Sequence, residues 1–228
     1  LAYTASKNAK VSSTNSYCNY AYAVRCISKA TDVVVVDLSE SQTANCYMIT
    51  APGYYKFKTN VRGNGVSSMF PYGGTSLLHI DDGMGVNIKP AKVDFLWWQG
   101  DFTEVTGNRS DVDNFVPLQL LNNGELDEDG YVTFYVGNYH EGNVGLAAYD
   151  VDGEIMWSWH IWFTDKPADL ITGNYTLMDR FLGATSAPNT SGSSISFASD
   201  KERMTTYGFY YQWGRKDPFL GSCATSGT

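Results

Sequence analysis

Short runs of β-branched and aromatic residues alternate with polar ones along most of the chain, and no stretch sustains a 3.6-residue apolar period. The pattern predicts strands over 31–38, 44–50, 54–59, 92–98, 116–121, 131–136, 144–149 and 155–163. Between them stand Pro52-Gly53, Asp82-Gly83, Asn123-Gly124, Asp129-Gly130 and Asp152-Gly153. Gly and Asn accept positive φ at little steric cost and Asp bonds the turn backbone, so these dipeptides close hairpins or short loops. Many short strands punctuated this way predict an all-β dominated antiparallel sandwich.

The segment 155–163 is the most informative. Side chains alternate faces along a strand, so Ile155, Trp157, Trp159, Ile161 and Phe163 share one side and Met156, Ser158, His160 and Trp162 the other. The first side is predicted to be core. The second mixes polar and apolar groups, as expected of a strand whose back is covered in part by a loop or a neighbouring module. Beyond Pro167 the pattern weakens, and residues 183–200 are rich in Ser, Thr, Gly and Asn. Module boundaries are therefore expected near Pro167 and near Ser28-Lys29, giving segments 1–28, 29–166 and 167–228.

The chain has 228 residues, of which 43% are hydrophobic. At this length roughly 70% of the unfolded surface is buried on folding, enough for one sizeable core or two modest ones. Charge is uneven: residues 1–80 carry 7 basic and 3 acidic side chains, residues 81–169 carry 4 and 17, and residues 170–228 carry 5 and 4. The acidic middle gives that region its own surface character, or serves only solubility. With a net charge of −8 and no basic stripe, the chain lacks the footprint that nucleic acid demands. No apolar run approaches the ~18 residues of a membrane-spanning helix. Leu1-Ala2-Tyr3 reads as mature sequence, without a charged-then-apolar leader.

Chemistry-bearing motifs are sparse. There is no Gly-x-Ser-x-Gly elbow, no Walker loop and no Gly-x-Gly-x-x-Gly. His79 and Asp81 would share a strand face and could offer two metal ligands, but a third must come from elsewhere; the adjacent His140 and Glu141 would point to opposite faces. His160, between tryptophans, reads as a hydrogen-bonded packing residue. The acidic turns at 127–130 and 150–153 run directly into strands, as hairpin turns do, instead of continuing into twelve-residue calcium loops. No metal and no cofactor is expected. Cys18, Cys26, Cys46 and Cys223 lack Cys-x-x-Cys spacing and allow three complete pairings. Cys46, inside an apolar strand, reads most simply as a buried thiol; the other three could form a disulfide in an oxidising compartment. Aromatic residues are the best lead to function, because amphipathic rings pack against sugar faces and anchor protein contacts. Trp97 and Trp98 must place one ring on each face of their strand, and Tyr211, Trp213 and Arg215 form a second cluster. These five are the candidate ligand-binding residues, with core packing the alternative for both groups.

The run Asp152-Gly153-Glu154-Ile155-Met156-Trp157-Ser158-Trp159-His160-Ile161-Trp162, then Met178-Asp179-Arg180-Phe181-Leu182-Gly183-Ala184, then Tyr210-Tyr211-Gln212-Trp213-Gly214-Arg215-Lys216-Asp217, resembles the fimbrillin-associated, tip-adhesin-like surface proteins of Bacteroidetes. So does Thr43-Ala44-Asn45-Cys46-Tyr47-Met48-Ile49 with Pro52-Gly53-Tyr54-Tyr55-Lys56-Phe57 after it. In that family Asn ordinarily stands where Phe181 does. Residues 15–27 resemble the closing strand, and 177–219 the opening half, of the C-type-lectin-like major paralogous domain first noted in Fibrobacter. The family's intervening Cys-Pro-x-Gly-Trp-Arg stretch is absent here.

The resemblance implies an Ig-like sandwich over 29–166 flanked by partial lectin-like α+β segments, with 1–28 and 170–228 packing together within a chain or between neighbours. It also implies a non-enzymatic, extracellular, cell-surface or outer-membrane-associated adhesin or fimbria-associated protein that binds a host or microbial glycan or surface protein. A structural alternative is a filament subunit that assembles with its neighbours by strand addition. An enzymatic alternative is an oxidase on the lectin-like fold, which requires reactive cysteines; Cys223 near Trp213 is the candidate.

Overall fold

The computed structural model describes residues 2–5, 11–14, 33–65, 86–100, 118–137, 139–191, 194–197, 199–212 and 215–219. His79, Asp81, the Asp82-Gly83 turn, Cys18, Cys26, Cys223 and Trp213 lie outside the described residues. Contacts divide the chain into two compact units, 1–33 and 34–228. In the first, β1 (Ala2–Ala5) and β2 (Val11–Thr14) pair antiparallel, with Ala2 opposite Thr14.

The second unit is built on eight strands: β3 (Val35–Asp37), β4 (Cys46–Ile49), β5 (Gly53–Lys58), β6 (Lys92–Gly100), β7 (Gln119–Leu120), β8 (Tyr131–Val136), β9 (Gly142–Tyr149) and β10 (Ile155–Phe163). Each falls within or against one of the eight segments predicted from alternation. They form two four-stranded sheets, in the orders β4-β10-β9-β6 and β3-β5-β8-β7. The turns are as the dipeptides require. Asp127 Oδ1 accepts from the Asp129 and Tyr131 amides, Asp150 Oδ1 accepts from those of Asp152 and Glu154, and Gly130 and Gly153 take φ of 82° and 85°.

Both sheets are mixed, which corrects the antiparallel expectation. β4 runs parallel to β10 and β3 parallel to β5, while the remaining pairs are antiparallel. The chain crosses from one sheet to the other at β3–β4, β4–β5, β5–β6, β6–β7 and β8–β9, so strands adjacent in sequence do not become hairpin partners there. Only β9 and β10 are joined as a tight hairpin among these eight.

The two sheets share one core. Phe57, Val132, Phe134 and Val136 from one meet Val144, Leu146, Trp159 and Phe163 from the other, all 0–2% exposed. Phe57 bridges the layers, with its ring 5.4 Å from that of Trp159 and 5.0 Å from that of Tyr47. Each such burial contributes about 1.5–3 kcal/mol relative to exposure. The predicted core face of β10 holds at Trp159, Ile161 and Phe163 but fails at Ile155, which is exposed, because a bulge between Ile155 and Trp157 breaks the alternation.

Beyond β10 come two hairpins, β11 (Asp169–Thr172) with β12 (Tyr175–Met178) and β13 (Thr190–Ser191) with β14 (Ser194–Ile195), and a short helix α1 (Asp200–Thr205). The helix was not legible as a 3.6-residue period because it is under two turns long. Its start signal was present: Ser199 caps it by accepting from the Glu202 amide at 3.1 Å, the Ser-x-x-Glu arrangement of a capping box. None of the described helices is long and apolar enough to cross a membrane.

Candidate functional site

The second face of β10 positions the site. Directly paired residues project to the same side of a sheet, so the registers His160↔Cys46, His160↔Gly145 and Trp97↔Gly145 set Cys46, His160, Gly145 and Trp97 in one row across all four strands. The row works because its third member has no side chain. A Cβ at Gly145 would lie 2.5 Å from the Trp97 ring, so glycine lets the indole lie across β9 and stack on His160, centroids 6.0 Å apart and planes 29° apart.

The chain after β12 folds back over this row. Arg180 anchors it: the guanidinium donates to Asp179 Oδ1 (2.8 Å), Thr164 Oγ1 (3.0 Å), the Thr185 carbonyl (3.1 Å) and Asp165, and its side chain is only 5% exposed. Its hydrogen bonds to Asp179, then to Asp165, outweigh burial and hold it protonated. Farther along, Asn143 Nδ2 donates to the Gly183 carbonyl at 2.8 Å, Trp162 Nε1 to the Ala184 carbonyl at 3.2 Å, and Phe209 sets its edge 4.9 Å from the His160 ring. Ser158, His160 and Trp162 are thereby buried on the sheet's outer face. The sequence pattern anticipated this cover over a mixed face.

Between the row and its cover lies a cavity of about 210 Å³. Cys46, Trp97, Ser158 and His160 line it from the sheet, and Leu182, Tyr211, Lys216 and Asp217 from the covering segment, with Asn45 beside them. A second depression of about 430 Å³, beside Lys92, Glu125 and Asp150, is more open and has no aromatic lining.

Two polar networks meet the cavity. In the first, the Asn143 amide nitrogen is committed to Gly183, so its Oδ1 accepts from His160 Nε2–H at 2.8 Å; this tautomer leaves Nδ1 to accept from the Cys46 thiol at 3.1 Å. Burial pushes His160 down to about 3 and Cys46 up to about 12. Both are neutral at pH 7, so proton transfer from thiol to imidazole is opposed and Cys46 is held as a thiol, not a nucleophile. Cys46 is half-buried and borders the cavity, more accessible than the buried thiol expected.

In the second network, Lys216 Nζ donates to the Ser158 carbonyl (2.9 Å), to Ser158 Oγ and to Asp217 Oδ1 (2.9 Å), while Ser158 Oγ donates to Asp217. Burial lowers Lys216, partly offset by Asp217; burial raises Asp217, but the bonds from Ser158 and Lys216 outweigh it and hold its carboxyl below the usual range. Lys216 Nζ and the Arg62 guanidinium each lie 4.6 Å from the centre of the Trp157 ring, whose Nε1 donates to Asn45 Oδ1 at 3.0 Å.

Of the five predicted residues, the structure brings Trp97 and Tyr211 together at the cavity. Trp98 points to the opposite face of β6, 40% exposed, with its ring edge-on to Phe95 at 6.1 Å. Arg215 is exposed, its guanidinium 4.0 Å from the centre of the Phe219 ring. Sequence reasoning did not single out Asn45, Ser158, Lys216 or Asp217 for the site. Lys216 and Asp217 stood within the aromatic cluster, but nothing local marked Ser158 as their partner 58 residues away. His140 is exposed, and no three His, Cys, Asp or Glu side chains cluster as a metal site among the described residues. No family model, no curated protein and no solved structure matches the chain.

Proposed function

We propose that this chain is a recognition module of an extracellular, cell-surface adhesin or fimbria-associated protein: an Ig-like sandwich and a lectin-like segment that together present a binding site for a host or microbial glycan or surface protein, without chemical transformation of the ligand. The observation that carries this reading is the cavity that Trp97 and Tyr211 share with Asn45 and Asp217 on the outer face of the sheet. Aromatic planes beside a few fixed polar groups are the composition of a recognition site. The neutral Cys46–His160 pair fits a role in binding, since it holds no primed nucleophile. The family name comes from the resemblance of residues 43–219 and is an analogy. A glycan array probed with the intact chain tests the reading. Wild type is expected to select a defined set of glycans, and Trp97→Ala and Tyr211→Ala to lose them; retention by both variants contradicts it.

One observation favours assembly as a second role. β3 is an edge strand with no partner on its outer side among the described residues; Val34 just before it is 79% exposed, and Val35 and Val36 within it are 36% and 46% exposed. A valine-rich edge of this kind, with one acidic residue at its end, can accept another strand. Sedimentation at high concentration is expected to show self-association that Val35→Lys removes; a monomer at all concentrations excludes it.

A further inference from the structure

Three features narrow what the cavity can accept. The first is charge. The three N–H groups of Lys216 are engaged by two oxygens of Ser158 and one of Asp217, and the ion pair sums to zero. An anionic ligand would have to displace Asp217 from Lys216, and a cationic one would set a second positive charge against Lys216, each at a cost in a partly buried site. The second is the set of polar atoms still without a hydrogen-bond partner among the described residues: Asp217 Oδ2, Asn45 Nδ2 and Tyr211 Oη. Asp217 is bonded only through Oδ1, and Asn45 only through its accepting Oδ1. A carboxylate acceptor, an amide donor and a hydroxyl that does both are matched by neighbouring hydroxyl groups, each of which donates and accepts. The third is size. About 210 Å³ falls below the ~300–1,000 Å³ of sites for drug-sized ligands, and two aromatic side chains line it.

We propose that this cavity binds one uncharged sugar ring, packed against Trp97 and Tyr211, with its hydroxyl groups bonded to Asp217, Asn45 and the Tyr211 hydroxyl. The inference rests on the recognition role proposed above and names the ligand class for that site. It assigns Asp217 and Asn45 as ligand-binding residues and Lys216 as the group that fixes Asp217 in place.

The test titrates the full chain, by tryptophan fluorescence, with glucose, galactose, mannose and N-acetylglucosamine, and with glucuronic acid and glucosamine as charged counterparts. At least one neutral sugar is expected to saturate, with the charged counterparts binding at least about tenfold more weakly. Asp217→Asn and Tyr211→Ala are each expected to weaken binding by about tenfold or more. Thermal unfolding verifies that both variants fold, and Tyr211, 52% exposed, is the safer of the two. Preference for a charged sugar, or binding that both variants retain, overturns the proposal. If the glycan array selects ligands but no single ring binds, this inference fails and the recognition role stands; if the array selects none, this inference and glycan recognition both fail.

Discussion

His160 shows how one residue is fixed from three directions. Asn143 sets its tautomer, Cys46 occupies its second nitrogen, and Trp97 and Phe209 enclose its ring. No site on the imidazole is left to receive a proton, and burial holds it neutral to about pH 3. The consequence for stability has a definite sign. Above pH 6.5 the group is neutral in both folded and unfolded chains and contributes no pH dependence. Below pH 6.5 the unfolded chain takes up a proton that the folded chain refuses, so stability is lost as pH falls from 6.5 towards 3. Lowering pH from 8 to 5 is expected to cost about 2 kcal/mol through this residue alone. Urea unfolding of wild type and His160→Gln across that range checks it: the variant should lose that much less on acidification, and parallel pH profiles would contradict the assignment. Its packing role was legible from alternation alone. Its partner Cys46 was not, because the two lie 114 residues apart and meet through a parallel pairing that no local pattern announces.

At the scale of elements, strand faces were readable and strand partners were not. Period-2 alternation located the eight strands of the two four-stranded sheets and most of the buried side of β10, because burial on one face imposes that period directly, but not the hairpins β11–β14. Parallel edges and the bulges at 155/157 and 95/97 depend on how the chain crosses between sheets. The covering segment after β12 has little regular structure and is held by specific polar contacts, so its attachment is testable at one side chain. Arg180→Ala is expected to destabilise the chain by about 2–3 kcal/mol, below the full cost of breaking a buried pair because Asp165 is 67% exposed. Arg180→Lys should recover less than half of the loss, since one ammonium cannot reproduce a fork that reaches Asp165, Asp179 and the Thr185 carbonyl together. Urea midpoints of the three proteins decide this; a variant indistinguishable from wild type would show that the segment is held elsewhere.

Across the main unit, one sheet does two jobs. Its inner face closes a core with the second sheet, and its outer face, built on Cys46, His160, Gly145 and Trp97, receives the C-terminal segment and leaves a small cavity. Trp97 and Tyr211 belong to segments far apart in sequence, so their meeting could be read only from the fold; their separate value as aromatic contact residues could be read from the sequence. The central claim is that this cavity is where a ligand is held. A crystal structure of the chain soaked with the best ligand from the glycan array tests it most directly. The account predicts one sugar ring between Trp97 and Tyr211 with a hydroxyl on Asp217; a ligand bound at any other surface, with this cavity unchanged, would contradict it.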